Sequence, residues 1–377
     1  MTAVTESKTK KAHKEPLIYI TKRTDIPRSR ALAIKSAVIG AGVIFCALVA
    51  ILLTGESPLR VFRSMFEGSF GTTRKIWNLF QSTAILLGIS LAVTPAFKMR
   101  FWNTGAEGQV LIGMLASVAC MFYAGNSLPS WLLIIVMLVA SIIASAVWAC
   151  IPGIFKAMWN TNETLFTLMM NYVAAQLVSF FIMLWVPSGS MVLGVVNANS
   201  QSGWFPSLLG QDYLLNILIV AVMTVAVYVY LKKSKQGYEI SVVGESENTA
   251  RYIGINVKKV IIRTVLISGA LCGVMGWILV AGADHSITSN SVAGNGFTAI
   301  MISWMSKFNP IIMIFSSLLV CFLQRGAGQI ASDLRLNTSV GEVLTGIMIL
   351  FIISSEFFVS YKIHFRQKAE KEAMKNV

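Results

Sequence analysis

The sequence predicts an all-α, polytopic membrane protein with about ten transmembrane helices in two pseudo-repeated halves. Hydrophobic residues make up 55% of the 377 residues and charged residues only 13%, whereas soluble domains usually carry about 25% charged residues. The apolar residues are gathered into runs of about 20, the length of helix that spans a hydrocarbon layer. Lys and Arg, which give the chain a net charge of +14, cluster between alternate runs. Composition and pattern therefore exclude a soluble fold.

The apolar segments form one membrane domain, predicted to run from residue 36 to residue 357. They cover residues 36–54, 77–97, 107–123, 131–151, 164–186, 214–231, 261–282, 296–305, 310–323 and 340–357. The segments at 296–305 and 310–323 are less regular than the others. Basic tails at 1–35 and 358–377 flank the domain. We expect no cleavable signal peptide, because the first tail has neither an apolar core nor a small-residue cleavage pattern.

The basic residues predict that both termini are cytoplasmic. Both tails are rich in Lys and Arg, which accumulate on the cytoplasmic side of membrane proteins. The loop at 232–260 is basic too and is predicted to be cytoplasmic, whereas residues 187–212 contain no Lys or Arg, as expected of an outer loop. Two cytoplasmic termini require an even number of crossings.

Four basic residues conflict with this topology, because they fall in what should be an outer loop. They are Arg60, Arg63, Arg74 and Lys75. Apolar residues recur between them at near-helical spacing, which is typical of an amphipathic helix lying on the membrane surface. A wrong crossing count would explain the same charges, and the sequence leaves both explanations open.

Two segments open with glycine-rich interruptions. Residues 103–109 read Asn-Thr-Gly-Ala-Glu-Gly-Gln, and residues 292–298 read Val-Ala-Gly-Asn-Gly-Phe-Thr. Broken segments at corresponding places in two halves are typical of internally repeated transporters, whose broken helices meet near the bilayer midplane where substrate binds. Ordinary loop glycines would give the same pattern, so the interruptions alone do not decide between the two.

Few residues could carry chemistry inside the membrane. Glu107 is the only fair candidate for a proton carrier, but no acidic partner accompanies it. Asn171 lies within an apolar segment, where a hydrogen bond between helices is the simplest role and a place on a solute pathway is the alternative. The three histidines are isolated, the five cysteines lack a metal-binding spacing, and no Gly-x-x-x-x-Gly-Lys-Ser/Thr loop occurs. We therefore predict no catalytic residue, metal site or cofactor on this chain.

The loop at 232–260 is more structured than a plain linker. Residues 245–252 can form a short helix, with Ser246 as a cap near its start and Gly254 as its end. The residues around that end give the helix one apolar side. A short helix with a polar and an apolar face is suited to docking on a partner, although a solvated turn would show the same pattern.

Several stretches resemble the permeases of bacterial ABC importers for sugars, branched-chain amino acids and nucleosides. Gly-Tyr-Glu-Ile at 237–240, Val-Gly-Glu-Ser at 243–246 and Ala-Arg-Tyr-Ile-Gly-Ile-Asn-Val at 250–257 resemble the coupling loop of these permeases. Further stretches that are similar to the nucleoside-type branch lie at 103–113, 162–172, 268–276 and 296–310. Together the matches run from about residue 56 to residue 357, nearly the whole membrane domain. Thr249 and the bulky run at 303–305 depart from the family pattern.

The resemblance implies the permease subunit of an ATP-driven importer in a bacterial cell membrane. The implied partners are a second, often non-identical permease, a cytoplasmic ATPase that binds ATP and Mg²⁺, and an external lipoprotein that delivers a nucleoside or simple sugar. The residues implied to couple the permease to the ATPase are Gly244, Glu245, Ala250, Arg251, Tyr252, Gly254 and Ile255. The residues implied to lie near the solute pathway are Asn103, Gly105, Glu107, Gly108, Gln109, Asn171 and Gly296.

Two other classes of function remain open at this stage. A secondary transporter driven by Na⁺ or protons would need no ATPase, and the lack of paired intramembrane acids argues against it. A membrane-embedded enzyme or assembly factor would need a cluster of His, Asp or Cys, which the sequence lacks. The solute cannot be read from the chain, because specificity in such importers rests largely on the external binding protein.

Overall fold

The computed structural model describes residues 18–23, 27–55, 57–186, 192–333 and 338–365. In chain order the elements are β1 (Ile18–Lys22), α1 (Arg28–Thr54), α2 (Pro58–Phe70), α3 (Thr73–Lys98), α4 (Ala106–Ala124), α5 (Ser130–Trp159), α6 (Glu163–Trp185), α7 (Leu214–Lys233), α8 (Lys235–Glu245), α9 (Glu247–Tyr252), α10 (Val257–Leu279), a π-helical turn (Val280–Asp284), α11 (Asn295–Met305), α12 (Pro310–Asp333), α13 (Thr338–Ser360) and β2 (Tyr361–Phe365). The predicted all-α class is confirmed. Most of both basic tails lies outside the described residues, and so does His13.

The described residues within 1–61 and 342–377 form one compact unit. Within it α1 and α13 pack antiparallel, with an ion pair of 2.7 Å between Lys35 and Glu356. Just beyond the two helices β1 and β2 form an antiparallel pair. The two strands therefore lie on the same side of the helix pair. Hydropathy predicted neither strand, and it placed the start of the first helix at residue 36 instead of Arg28.

The second unit, residues 62–341, is organised around α10. Three glycines of α10 allow close helix contacts, because a Cβ at each would collide with a neighbouring helix. A Cβ at Gly269 or Gly273 would lie against the backbone of α5, and one at Gly276 would meet the backbone of α4, 2.7 Å from the Val110 carbonyl oxygen. Small residues at such spacing let membrane helices approach closely, since apolar burial alone does not drive their association in lipid. The contact places the start of α4 in the centre of the bundle.

Nine described helices are long and apolar enough to cross a membrane, and the tenth predicted segment is only the 11-residue α11. The chain from the π-helical turn to the end of α11 nevertheless runs from one end of the second unit to the other. Two contacts show this, one on α7 and one on α3, which are parallel helices. Before α11, the Gly282 carbonyl accepts a hydrogen bond of 2.8 Å from Asn216 near the start of α7. Near the end of α11, Ser303 lies 3.0 Å from Thr94 near the end of α3. The loop and α11 therefore run along the second unit as a spanning segment would, and a total of ten crossings stays a prediction.

The unexpected basic region at 60–75 begins with α2, a helix of 13 residues that is too short to cross a membrane. Gly68 packs this helix onto α12, since a Cβ there would lie 2.5 Å from the side chain of Gln329. Leu59 and Phe66 are exposed, at 83% and 60% of their surface. The helix therefore has the two-faced character that the spacing indicated, and its position on the membrane surface stays a prediction.

Candidate translocation core and coupling segment

The seven residues predicted to lie near a solute pathway meet in one cluster, which we call the core cluster. At its base, Asn103 is fully buried just before α4. Its side-chain amide exchanges two hydrogen bonds with the buried amide of Gln109, of 3.0 and 3.2 Å. The Asn103 Oδ1 atom also accepts a bond of 3.1 Å from the Gly105 amide N–H. Because each buried amide satisfies the other, the pair holds the loop before α4 inside the bundle.

Asn171 fastens α6 to the same loop. Its Oδ1 atom accepts a hydrogen bond of 2.9 Å from the Gly108 amide N–H, and its Nδ2 group donates one of 2.9 Å to the Thr104 carbonyl. A Cβ at Gly108 would lie 2.9 Å from the Asn171 Cα, so the close approach requires glycine. This is the inter-helix hydrogen bond that the sequence favoured for Asn171, and the structure places the side chain at a packing contact of α4 with α6.

Glu107 joins the two glycine-rich interruptions. Its Oε1 and Oε2 atoms accept hydrogen bonds of 2.8 Å each from the amide N–H groups of Gly294 and Gly296, at the start of α11. A Cβ at Gly296 would lie 2.7 Å from the Glu107 backbone nitrogen. Helix N-termini attract carboxylates because their first N–H groups are unpaired and the helix dipole is positive there. We call this contact the Glu107 clamp.

The Glu107 clamp helps to decide whether Glu107 is a proton carrier or a packing residue. Both carboxylate oxygens of Glu107 are used by backbone donors, and the residue lies in the first turn of α4, itself a helix N-terminus. The geometry thus gives Glu107 a packing role, in which it holds the start of α11 against the start of α4.

An aromatic cluster beside the core cluster escaped the sequence analysis. The rings of Trp102 and Trp304 stack with centroids 5.3 Å apart, and Phe97 meets both edge-on at 6.0 and 6.2 Å. This contact explains why the run at 303–305 is bulkier than the family pattern, because the indole of α11 has a partner next to Asn103. Pattern alone could not pair Trp102 with Trp304, because the two lie about 200 positions apart in the chain.

The short helix predicted in the loop at 232–260 is present, with a corrected start. It is α9, which begins at Glu247 because Ser246 is extended and separates it from α8, so Glu245 ends the preceding helix. The Ser246 side chain accepts from the Thr249 amide at 3.3 Å, as a cap should. Gly254 ends the segment at a φ of +84°, a conformation that favours glycine.

The predicted coupling residues divide into an exposed and a buried set. Glu245, Arg251, Tyr252 and Gly254 are exposed, and Tyr252 reaches 93%. Gly244 and Ala250 are buried, and Ile255 is half-buried. The exposed set can contact a partner, whereas the buried set can only shape the segment that presents it.

Two contacts attach this segment to the bundle. A Cβ at Gly244 would collide with the Lys98 carbonyl at the end of α3, so α8 lies directly on that turn. Arg263 forms an ion pair of 2.8 Å with Glu239 and ties α10 to α8. Both side chains of this pair are largely shielded from solvent, so the attraction between them is stronger than in a fully exposed ion pair. α8 is therefore in direct contact with the end of α3 and with α10.

The residues that could ligate a metal ion or form disulfides are dispersed in the described part of the chain. Within the residues that the structure describes, no group of three or more His, Cys, Asp or Glu is placed to hold a metal ion. The five cysteines are free, and three of them are buried.

The family of branched-chain amino acid transport system permease components matches residues 76–353. The chain belongs to this family. Among similar proteins, the glucose ABC transporter permease protein TsgB13 of Haloferax volcanii is 27% identical over 84% of this chain and 85% of its own length. The guanosine ABC transporter permease protein NupP of Bacillus subtilis is 26% identical over 81% and 88%. The nucleoside ABC transporter permease protein NupB of Lactococcus lactis is 27% identical over 81% and 86%.

The matched residues cover most of the second unit and part of α13. They begin within α3 and end within α13, so they include the core cluster, α8 and α9, and they leave out α1 and α2. The family match therefore includes α10 and the helices that pack on it.

Proposed function

We propose that this permease forms part of the membrane path of an ATP-driven importer for nucleosides. Two of its relatives are named as a guanosine and a nucleoside ABC permease, which supports this solute class. A simple sugar is the second class, because a relative named as a glucose permease is equally similar. The observation that carries the proposal is α9, an exposed helix fixed to the bundle by the packing of α8.

The proposed assembly has four kinds of component. A second permease, non-identical or another copy of this chain, completes the path. A cytoplasmic ATPase binds ATP and Mg²⁺ and docks on the exposed face formed by Glu245, Arg251, Tyr252 and Gly254. An external lipoprotein delivers the solute. This arrangement requires a cytoplasmic position for α9 and for both termini, in agreement with the charge pattern of the sequence.

In this mechanism, motion of the ATPase reaches the core cluster by a short route. The ATPase displaces α8 and α9, which move the end of α3 through Gly244 and move α10 through the Glu239–Arg263 pair. Gly276 of α10 packs directly on α4, whose first turn carries the Glu107 clamp. A shift between α4 and α11 at that clamp opens the path first to one side and then to the other.

Uptake of labelled guanosine and labelled glucose by cells with and without this chain tests the solute class. We expect guanosine uptake that depends on the chain, on the partner ATPase and on the lipoprotein. Chain-dependent glucose uptake without guanosine uptake would replace the nucleoside by a sugar. Uptake of neither solute would contradict the proposed class.

The energy source is tested separately by depleting ATP while the proton gradient is maintained. We expect uptake to stop, because the proposed importer is driven by the ATPase alone. Uptake that persists under this condition would support an ion-coupled transporter instead. A collapse of the proton gradient at constant ATP is the matched control and should leave uptake unchanged.

A further inference from the structure

A cleft of about 800 Å³ opens at the end of the bundle opposite to α8 and α9. It lies between the start of α5, the segment at 201–213 and the π-helical turn after α10. Small-molecule sites typically have volumes of roughly 300 to 1,000 Å³. The cleft is therefore large enough for a solute of one or two rings.

The wall of the cleft is held in place by hydrogen bonds and a ring stack. The Phe205 amide donates to the Ala281 carbonyl at 2.8 Å, and the Val196 amide donates to the His285 carbonyl at 2.9 Å. The indole of Trp204 lies flat on the His285 imidazole, with centroids 3.8 Å apart and planes 6° apart. The segment is thus fixed to the end of α10, and the cleft is formed before any ligand arrives.

The charges around the cleft exclude an anion. Asp212 is the one carboxylate among the described residues that line it, and none of those residues is Lys or Arg. Burial lowers the pKa of His285 below its usual value, although the Val280 carbonyl and Asp212 oppose the shift. A phosphate would meet a carboxylate and no cation, and like charges at close range repel.

The remaining lining groups suit hydroxyls and ring faces. Ser207 and Gln201 can each donate and accept hydrogen bonds, and the Asp212 carboxylate can accept from two adjacent hydroxyls. Trp131 is 66% exposed and offers an aromatic face beside these polar groups. Aromatic side chains contribute apolar contact area while leaving polar partners within reach.

We propose that this cleft binds a neutral, ring-containing solute with vicinal hydroxyls, the group shared by the ribose of a nucleoside and by a pyranose sugar. The proposal rests on the proposed function and deepens it, because it gives the permease a solute site of its own at the end where solute is delivered. It also predicts that the cleft rejects phosphorylated forms of the same solute.

Equilibrium binding to the permease–ATPase complex in nanodiscs tests the chemistry of the site. The ligands are adenosine, 2′-deoxyadenosine, adenosine monophosphate and glucose. We expect adenosine or glucose to bind, the 2′-deoxy compound to bind more weakly, and the monophosphate to bind at least about tenfold more weakly, a difference of about 1.4 kcal/mol. Adenosine binding with glucose excluded identifies the ribose as the group bound, and the reverse identifies the pyranose. Equal binding of adenosine and its monophosphate would overturn the proposal.

Variants of two carboxylates test whether the solute binds in the cleft. Asp212→Asn should weaken binding about tenfold or more, and Gln201→Ala should weaken it less. Asp333→Asn removes an exposed charge on α12 outside the cleft and should leave binding unchanged. Equal affinities of Asp212→Asn and Asp333→Asn would contradict the site.

The outcome separates this proposal from the proposed function. If uptake depends on the chain but solute binding does not depend on Asp212, the proposed cleft is wrong and the proposed importer is supported. If solute binding depends on Asp212 but removal of the chain changes neither guanosine nor glucose uptake, the cleft is supported and the proposed importer is wrong.

Discussion

Glu107 is the residue on which the contact between α4 and α11 depends. Glu107→Gln keeps the size of the side chain but replaces one accepting oxygen by an amide that cannot accept from Gly294 or Gly296. We expect the free energy of unfolding to fall by about 1–3 kcal/mol, the usual cost of leaving such a partner unpaired. Thermal unfolding of the purified permease measures the loss, and uptake should fall with it.

A second carboxylate serves as the control for this variant. Glu67 lies on α2 and is half exposed, where it pairs with Arg63 at 2.7 Å. Exposed ion pairs contribute little stability, so Glu67→Gln should leave the melting temperature nearly unchanged. If Glu107→Gln melts at the same temperature as Glu67→Gln, the clamp does not stabilise the fold.

At the scale of elements, α9 combines an exposed face with a buried support, and the two should respond differently to mutation. Arg251→Glu reverses a charge on the exposed face, and Gly254→Trp adds bulk at a backbone conformation that favours glycine. We expect both variants to insert into the membrane normally but to lose the ATPase during co-purification. Uptake should then be abolished, since energy no longer reaches the permease.

A charge reversal elsewhere distinguishes docking from a general effect of charge. Arg63 lies on α2, also exposed but outside the matched family region. Arg63→Glu should leave the ATPase bound. Undiminished co-purification of the ATPase with Arg251→Glu and Gly254→Trp would show that α9 is not the docking element.

The elements differ in how well the sequence could predict them. The cap and the end of α9 depend on Ser246 and Gly254, which act within a few residues of the helix, and both were predicted. The Glu107 clamp joins residues 187 and 189 positions apart in the chain, so periodicity could mark each interruption but could not pair them. Pairing of β1 with β2 was missed for the same reason, because each strand is too short to show a pattern of its own.

At the scale of the whole molecule, the ends of the chain restrict the number of crossings. The antiparallel pairing of β1 with β2 holds residues 18–22 and 361–365 together at one end of the α1–α13 pair. An even number of crossings satisfies this pairing, and nine long helices with one broken crossing through α11 provide it. The alternative is that the chain from His285 to Met305 dips into the membrane and returns, which would leave an odd number.

Single cysteines distinguish the two topologies in intact cells. In a chain whose five native cysteines are replaced, Ile20→Cys, Tyr252→Cys and Ser289→Cys introduce exposed thiols near the N-terminus, on α9 and before α11. We expect a membrane-impermeant maleimide to label Ser289→Cys in intact cells and the other two only after permeabilisation, because ten crossings return both termini to the side of α9. Labelling of Ile20→Cys together with Ser289→Cys, while Tyr252→Cys stays protected, would contradict the even count.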